Sequence, residues 1–460
     1  MARTRNTLLA AIIKETGWSQ AQVAARFVRV ADECGAVELR SVSRSHISMW
    51  VLGTRPEGRA PSILCETLSR GVGRVVTPAQ IGLAPAEAAP STTWGWDVDT
   101  VAALADLGGD NMDMTRRQVL ADSAYSVAGA ALPPDRWWDE TLDRARDRRS
   151  VSRRTVTEAH VASVQEAMGF FSRQDQRLGG RASRAALVAY LQSDVADYVC
   201  RRFPSEQVRR DLFSSAAELV YLAGWTAFDS SDHGLAQANF NLGFRMAAEA
   251  NDAPLAGHIL RAAAHQAVDL GHRQRAMELA DGSITQHRYT LASHREKALL
   301  GVVHARALAV TGQKAEALAA LRRAEDDLSN ATPGEEPARV FFFSEASLAH
   351  ETACTLRDLG DLKGAEKEFK RSVRTRALPF ARTHAVTLGY LGDVQVRQGQ
   401  VDAACATWTQ ALDAMEGIQS GRVRSTVVQM RRALSPVRGR GGSAAATLDQ
   451  RARAALRSVG

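Results

Sequence analysis

Leu391-Gly392-Asp393-Val394-Gln395-Val396-Arg397-Gln398-Gly399-Gln400-Val401-Asp402-Ala403-Ala404, with Ala411-Leu412 shortly after, decides the fold. Small residues stand at fixed offsets around Gly399: Gly392 seven before, Ala404 five after and Ala411 twelve after. The template recurs upstream around Ser231, Gly271, Gly312 and Gly360. Its earlier position holds Gly224, Ala264, Ala305 and Ala353, and its later ones Ala236, Ala276, Ala317 and Ala365, then Gly243, Ser283, Ala324 and Ser372. Successive anchors lie 40, 41, 48 and 39 residues apart. The anchor reads as a turn between antiparallel helices, where glycine tolerates left-handed backbone. The flanking small residues mark close helix crossings. One such pair cannot bury its apolar face alone, so the pairs must stack.

This pattern resembles the tetratricopeptide repeat (TPR) family, whose small residues fall at these offsets. The spacing exceeds the ~34 residues of that family, so longer connections between pairs are expected. An unrelated Ala-rich helical bundle is the plainer alternative. The resemblance implies that the first helix of each pair lines an inner groove. The positions so placed are Glu218, Tyr221, Trp225, His258, Arg261, His265, Arg306, His350, Arg357 and Arg397. A basic, aromatic groove of this kind suits an extended peptide or acidic segment held by charge-assisted hydrogen bonds. Ordinary solubility chemistry would put arginines on helices as well.

Net charge over the 460 residues is +7, unevenly spread. Residues 1–77 carry +5 and residues 438–460 carry +4, leaving −2 between them. A basic head on a near-neutral body points to an anionic partner, nucleic acid first. In the head, Leu8, Leu9, Ile12 and Ile13 recur at helical spacing up to Gly17, and Ser19 caps a second helix carrying Val23, Ala24 and Phe27. Ser43 opens a short helix that turns Val42, Ile47 and Trp50 inward and Arg44, Ser45, His46, Ser48 and Met49 outward. Gly53 stops it and Pro56 prevents its resumption. Another helix starts near Pro61.

Trp18-Ser19-Gln20-Ala21-Gln22-Val23-Ala24 and Ser43-Arg44-Ser45-His46-Ile47-Ser48-Met49-Trp50 resemble the two motif helices of phage-repressor and Cro-like (XRE) helix-turn-helix domains. The resemblance implies that the second helix enters the major groove of double-stranded DNA. Arg44, Ser45, His46 and Ser48 then become base-edge candidates in a helix started by Ser43, and Gln20, Arg55 and Arg59 phosphate candidates. The connection here, Val28 to Ser41, is longer than that family's turn, unless the first motif helix continues through Ala31 to a stop at Gly35. A small helical docking domain with an incidental basic face is the competing reading.

Residues 84–154 read as a linker and junction helices, including Thr115 to Leu132, with Trp94, Trp96, Trp137 and Trp138 as packing anchors. Thr115-Arg116-Arg117 mimics an export signal but lies far inside the chain, so it is read as a helix start. Residues 155–216 read as capping helices, 217–435 as the array and 436–460 as a flexible basic tail. The five cysteines, Cys34, Cys65, Cys200, Cys354 and Cys405, form no metal-spaced cluster and suit a reducing, cytoplasmic compartment. No phosphate loop, HExxH or GxSxG appears, so neither an enzyme nor a cofactor or metal is expected, and no apolar run has membrane length.

The expected fold is all-α: an N-terminal helix-turn-helix domain, residues 1–83, plus an α-solenoid of TPR-like helix pairs. Taken whole, the chain resembles actinobacterial regulators that join an XRE-type head to a repeat array. That resemblance rests on Ser43 to Pro56, Met114-Thr115-Arg116-Arg117 and the repeat templates, and implies a DNA-binding transcriptional regulator. A peptide, small ligand or protein partner would occupy the groove, and paired half-sites would call for a homodimer. The alternative function is a TPR scaffold for protein–protein interaction without sequence-specific DNA binding.

Overall fold

The computed structural model describes residues 5–33, 36–83, 96, 99–112, 125–127, 129, 131–134, 136–148, 152–437 and 442–458. The regular secondary structure of the described residues is all helical, apart from one isolated bridge between Thr155 and Arg202. No helix among them is long and apolar enough to cross a membrane.

The head contains α1 (Thr7–Glu15), α2 (Gln20–Glu33), α3 (Arg44–Val51) and α4 (Ala60–Val72), then a short turn of helix at Ala79–Ile81. The second helix is the longer of the two forms open from sequence, and Ala31 lies inside it. A 3-10 turn at Val37–Leu39 bridges α2 and α3. Leu9, Val23, Phe27, Ile47, Trp50, Leu64 and Leu68 form a core of the head's own. Phe27 and Trp50 meet edge to face at 5.4 Å, which seats α3 across α2. Leu8 is exposed rather than buried with its neighbours, because a nine-residue helix buries one face and Leu8 lies off it.

Beyond the head come α5 (Thr100–Met112) and α6 (Trp137–Asp147). The expected helix from Thr115 and the Trp94 anchor fall mostly on residues outside those described. Trp96 is packed edge-on against Trp137 and Phe244, at 5.3 and 5.7 Å. The capping helix α7 (Glu158–Leu178) follows, then α8 (Arg184–Tyr190), which continues through a π-helical turn to α9 (Ala196–Val199).

Five helix pairs follow: α10 (Glu206–Asp229) with α11 (His233–Glu249), α12 (Ala253–Asp269) with α13 (Arg273–Ser283), α15 (His294–Val310) with α16 (Lys314–Ser329), α17 (Glu345–Asp358) with α18 (Leu362–Thr375), and α19 (Ala381–Arg397) with α20 (Val401–Ala414). A one-turn helix, α14 (His287–Thr290), stands between the second and third pairs. Each anchor sits in the turn at positive φ, from 70° at Ser231 to 85° at Gly312 and Gly360. Ser231 alone does so with a side chain, at the strain cost glycine avoids. The crossings are as close as the small residues require. A Cβ on Gly392 would overlap the indole of the fully buried Trp408, and one on Gly224 would meet Phe240 at 2.8 Å. The boundary expected at residue 216 falls inside the single helix α10, since its inner face continues the capping core.

The chain ends with α21 (Gly421–Leu434) and α22 (Gly442–Ser458). The described part of the tail is therefore an ordered helix. Ala445, Leu448 and Ala452 repeat at helical spacing and are buried, and Asp449 takes Arg431 at 2.8 Å.

The array curls until its last pair reaches its first. The main-chain N–H of Gln419 donates to the carbonyl of Leu178 at 2.7 Å, and that of Arg181 to the carbonyl of Gln419 at 3.3 Å. The Ser420 hydroxyl donates to Asp229 at 2.9 Å. Gly421 lies so close to this seam that a Cβ there would meet the Asp229 carbonyl at 2.9 Å.

Candidate functional site

The head presents α3 outward. Arg44, Ser45 and Met49 are exposed, Ser48 is half-buried, and Ile47, Trp50 and Val51 hold the helix to the core. The end of α3 is fixed by the Asn6 N–H, which donates to the Val51 carbonyl at 2.9 Å, while the Asn6 side chain donates to the Ile81 carbonyl at 2.8 Å. His46 differs from the outward placement expected of it. Its Nδ1 lies 3.2 Å from the Ser43 N–H and 3.0 Å from the Ser43 hydroxyl, so the ring caps its own helix. Ser43 is likewise a capping residue. Arg55 is exposed, whereas Gln20 and Arg59 are half-buried.

The opposite side of the head is tied to the array through α4. Arg70 and Glu66 pair at 2.8 Å. Arg70 donates to the Tyr125 carbonyl at 2.8 Å, and the Val127 N–H donates to Glu66 at 3.2 Å. Gln237 on α11 grips the same strap on both edges, accepting the Ser126 N–H at 2.9 Å and donating to its carbonyl at 2.8 Å. The Tyr125 ring stacks on His272 at 4.7 Å, and Gly73 rests against Gln274. Tyr125, Ser126, Val127 and Gly129 thus bridge α4 to α11 and α13, leaving α3 clear.

The inner face of the array is not an open groove. Tyr221, His258, Arg261, His265, Arg306 and His350 are all buried, with no more than 4 % exposure. Trp225 and Arg357 are half-buried, and Arg397 is exposed beside Asp393 at 4.0 Å, away from the axis. Curvature turns these first-helix positions onto one another, and acidic residues meet them there. Arg306 binds Asp269 at 2.9 Å and Glu351 at 3.3 Å, and His265 lies 3.4 Å from Asp269. Arg382 binds Asp175 of α7 at 2.7 Å and lies 3.5 Å from Asp229. Arg422 stands over Phe228 at 5.4 Å and 3.9 Å from Asp269.

Neither is the interior as basic as the sequence suggests. Burial lowers the pKa of His265 and takes His258 well below the ordinary imidazole range, and it brings His350 to about 3. All three are neutral at pH 7. Burial by itself would raise Glu351, but the charges around it, Arg306 first, outweigh it and hold the carboxyl at about 2.

Two recesses open on either side of the Arg306–Asp269–Glu351 layer. The larger encloses about 440 Å³ and is bordered by Asp269, Arg306, Arg357, Asp358, Tyr390 and Arg422. The smaller encloses about 80 Å³ and is lined by Trp225, Arg261, Phe342, Arg376, Phe380 and Arg422, among others. Its floor includes a segment that the template did not place. Ala338-Arg339-Val340-Phe341-Phe342-Phe343 lies in the longest anchor interval, 48 residues, and enters the axis from the connection between α16 and α17. Arg339 reaches Glu296 at 2.7 Å, Glu218 at 3.1 Å and Asp252 at 3.5 Å, stitching three pairs together. The extra length and the triple phenylalanine were the signals available. Glu218 belongs to this ion cluster rather than to an open groove.

Asp175 carries a pH signature. Burial raises it from 3.8 to about 6; Arg382 opposes that shift and Asp229 adds to it. A carboxyl with a raised folded pKa binds more protons folded than unfolded. Its contribution to stability therefore grows as pH falls from 6 to 4, by about 3 kcal/mol in full. Urea unfolding at pH 7.5 and pH 5 should show about half of this gain for the wild type and lack it in Asp175→Asn. An equal pH response of the two proteins would contradict it.

Residues 9–84 match the family described as the SP15 N-terminal domain, so the head, not the array, carries that similarity. No curated protein matches the chain. Among solved structures, a Rap protein complexed with competence and sporulation factor matches with a TM-score of 0.35 and 12 % identity, over 65 % of this chain and 99 % of that one. A likeness so distant carries no argument about ligand or partner. What stands is an all-helical repeat protein with a small helical head. Among the described residues no group of His, Cys, Asp and Glu is placed to hold a metal.

Proposed function

We propose that this chain is a DNA-binding transcriptional regulator whose TPR-like array receives a regulatory ligand or partner. One observation carries the reading: the head docks through α4 and leaves α3 outward, with Arg44, Ser45 and Arg55 available to a duplex while the array is held behind. A helix of this length fits the major groove, where arginine can take the O6 and N7 acceptors of guanine. The base-edge set is Arg44, Ser45 and Ser48, with His46 keeping Nε2 for a contact. Arg55, Arg59 and Gln20 are the phosphate set, which fixes register and salt dependence. The protein acts as a cytoplasmic homodimer on paired half-sites and catalyses no reaction. The affinity with actinobacterial XRE-type regulators belongs to this reading.

The strap formed by Tyr125, Ser126, Val127 and Gly129 is the proposed transmission element. It is the shared contact of α4 and α11, so a change in array curvature reaches the head through it. A differential affinity of a few kcal/mol between two curvatures is enough to switch operator occupancy.

A second reading has its own observation. The outer face of α3 and its neighbourhood expose Met49, Leu52 and Leu8, apolar side chains that also suit a protein partner. In that case the chain is an interaction scaffold and the head a docking module.

Genome-wide pull-down with the full-length protein separates the two. The regulator reading expects a few enriched sites sharing one motif, and a loss of about tenfold or more in affinity for them in Arg44→Ala. Diffuse enrichment, or enrichment indifferent to Arg44→Ala, would leave the scaffold.

A further inference from the structure

The smaller recess holds two arginines that the ion network does not use. Arg261 is 2 % exposed, yet its partners are uncharged: the Tyr221 hydroxyl at 3.0 Å and His258 at 3.3 Å. Its guanidinium is framed by the rings of Trp225 and Tyr221, at 5.6 and 5.9 Å. Among the described residues, Arg376 donates to the Ala346 carbonyl at 2.9 Å and the Ser372 hydroxyl at 2.8 Å. The Nε of each is buried without a hydrogen-bond partner among the described residues. Buried guanidinium groups ordinarily meet a carboxylate, because an unpaired charge in a low-dielectric interior is costly. The other arginines of the axis, Arg306, Arg339 and Arg382, do so. These two line the same cavity and are left over.

Size and surroundings limit what could complete them. A recess of about 80 Å³ holds several waters or one small anionic group, not a length of peptide chain. The lining already contains Asp175 and Glu351, which disfavour a dianion such as phosphate. Toward the outside the walls become apolar. Phe341 is 39 % exposed and lies 6.1 Å from Phe380, and both line the recess. An anion that enters here brings an apolar body with it.

We propose that this recess is a ligand site for a monocarboxylate on an aromatic or aliphatic body, the carboxylate held by Arg261 and Arg376 and the body by the Phe341 and Phe380 rim. Two guanidinium groups supply the charge-assisted hydrogen bonds that planar carboxylates take best. Trp225, whose ring faces Arg261, gives the site its own optical reporter. The proposal rests on the reading of the array as a receiver of ligands, and it names the ligand's chemistry.

The probes are 3-phenylpropanoate, its amide, inorganic phosphate and a tetrapeptide ending in phenylalanine with a free carboxylate. Binding to the full-length protein is followed by calorimetry and tryptophan fluorescence. The acid should bind saturably, the amide and phosphate at least about tenfold more weakly. Arg376→Met, at a half-buried position outside the paired network, should weaken the acid by about tenfold or more with an unchanged circular dichroism spectrum. Arg261→Met should do the same, and if it misfolds Arg376→Met decides alone. Tighter binding of the tetrapeptide than of phenylpropanoate assigns the carboxylate to a peptide C-terminus, and the reverse order assigns it to a small acid. Equal affinities for acid and amide, no binding up to about 10 mM, or indifference to Arg376→Met would each overturn the site. No DNA is present, so its failure leaves the DNA-binding reading standing, and a failed pull-down leaves the site standing.

Discussion

Arg306→Met should lower the unfolding free energy of the array by about 3–5 kcal/mol, the range for breaking a buried ion pair from one side. Arg306 is 3 % exposed and is the shared cation of Asp269 and Glu351, carboxylates on the pairs before and after its own. Methionine keeps the bulk of the side chain and removes the charge, so both acids stay inside with only His265, neutral at pH 7, and the more distant Arg422 nearby. The change should carry a pH signature too. Glu351 is held at about 2 against an ordinary 4.5, so in the wild type its contribution is complete above 4.5 and lost as pH falls toward 2. In Arg306→Met that dependence should vanish or reverse, because burial without the cation raises the carboxyl. Urea titrations at pH 7 and pH 4 read both effects. A loss below about 1 kcal/mol at pH 7 would mean that the layer is not electrostatically closed.

Arg382→Met should open the superhelix instead of merely weakening it. Arg382 sits between Asp175, 1 % exposed, and Asp229, 0 % exposed, on helices 54 positions apart in sequence, and it comes from α19 at the far end of the array. Without it two buried carboxylates face each other. Each repeat contacts mainly its neighbours, so the pairs can stay folded while the seam between ends comes apart. That route costs less than keeping both charges in the interior. Small-angle scattering should give a larger radius of gyration at pH 7.5, and limited proteolysis should find new cuts around Gly179–Ala182 and Gly417–Gly421. Lowering the pH to 5 should restore the compact form, since Asp175 takes a proton at about 6 even beside Arg382 and losing that cation raises the carboxyl further. Arg382→Lys, which keeps the charge, should stay closed. An unchanged scattering curve for Arg382→Met at pH 7.5 would show that the main-chain bonds of Gln419 and Arg181 suffice as the clasp.

The helix pairs were readable in the chain because their determinants are local. A turn that needs positive φ selects glycine at Gly271, Gly312, Gly360 and Gly399, and a crossing that leaves no room for a side chain selects Gly224 and Gly392. These constraints act within a pair, so they leave marks at fixed offsets. Helix α3 was readable for the same reason: Ser43 starts it, Gly53 and Pro56 end it, and Ile47 and Trp50 give it one buried side. His46 went astray because a residue three positions after a cap has two uses, facing solvent or turning back, and only the assembled helix start shows which.

The pairing of charges was not readable. Asp175 and Arg382 are separated by 207 residues, and Arg339 meets Glu218 across 121. Whether such residues meet depends on curvature, which is the sum of small rotations between successive pairs and has no local signature. Residues placed in an open groove, Tyr221, His258, Arg261, His265, Arg306 and His350, therefore became interior. The sequence alone determined which segments form the helix pairs, where they turn, which small residues let them cross and that both ends of the chain are basic. The tertiary structure alone decided that the array closes, that its arginines are mostly neutralised, and that Arg261 and Arg376 are not. Backbone turns and close crossings are imposed by neighbours a few residues away, whereas the environment of a buried charge is imposed by whatever the finished superhelix brings beside it.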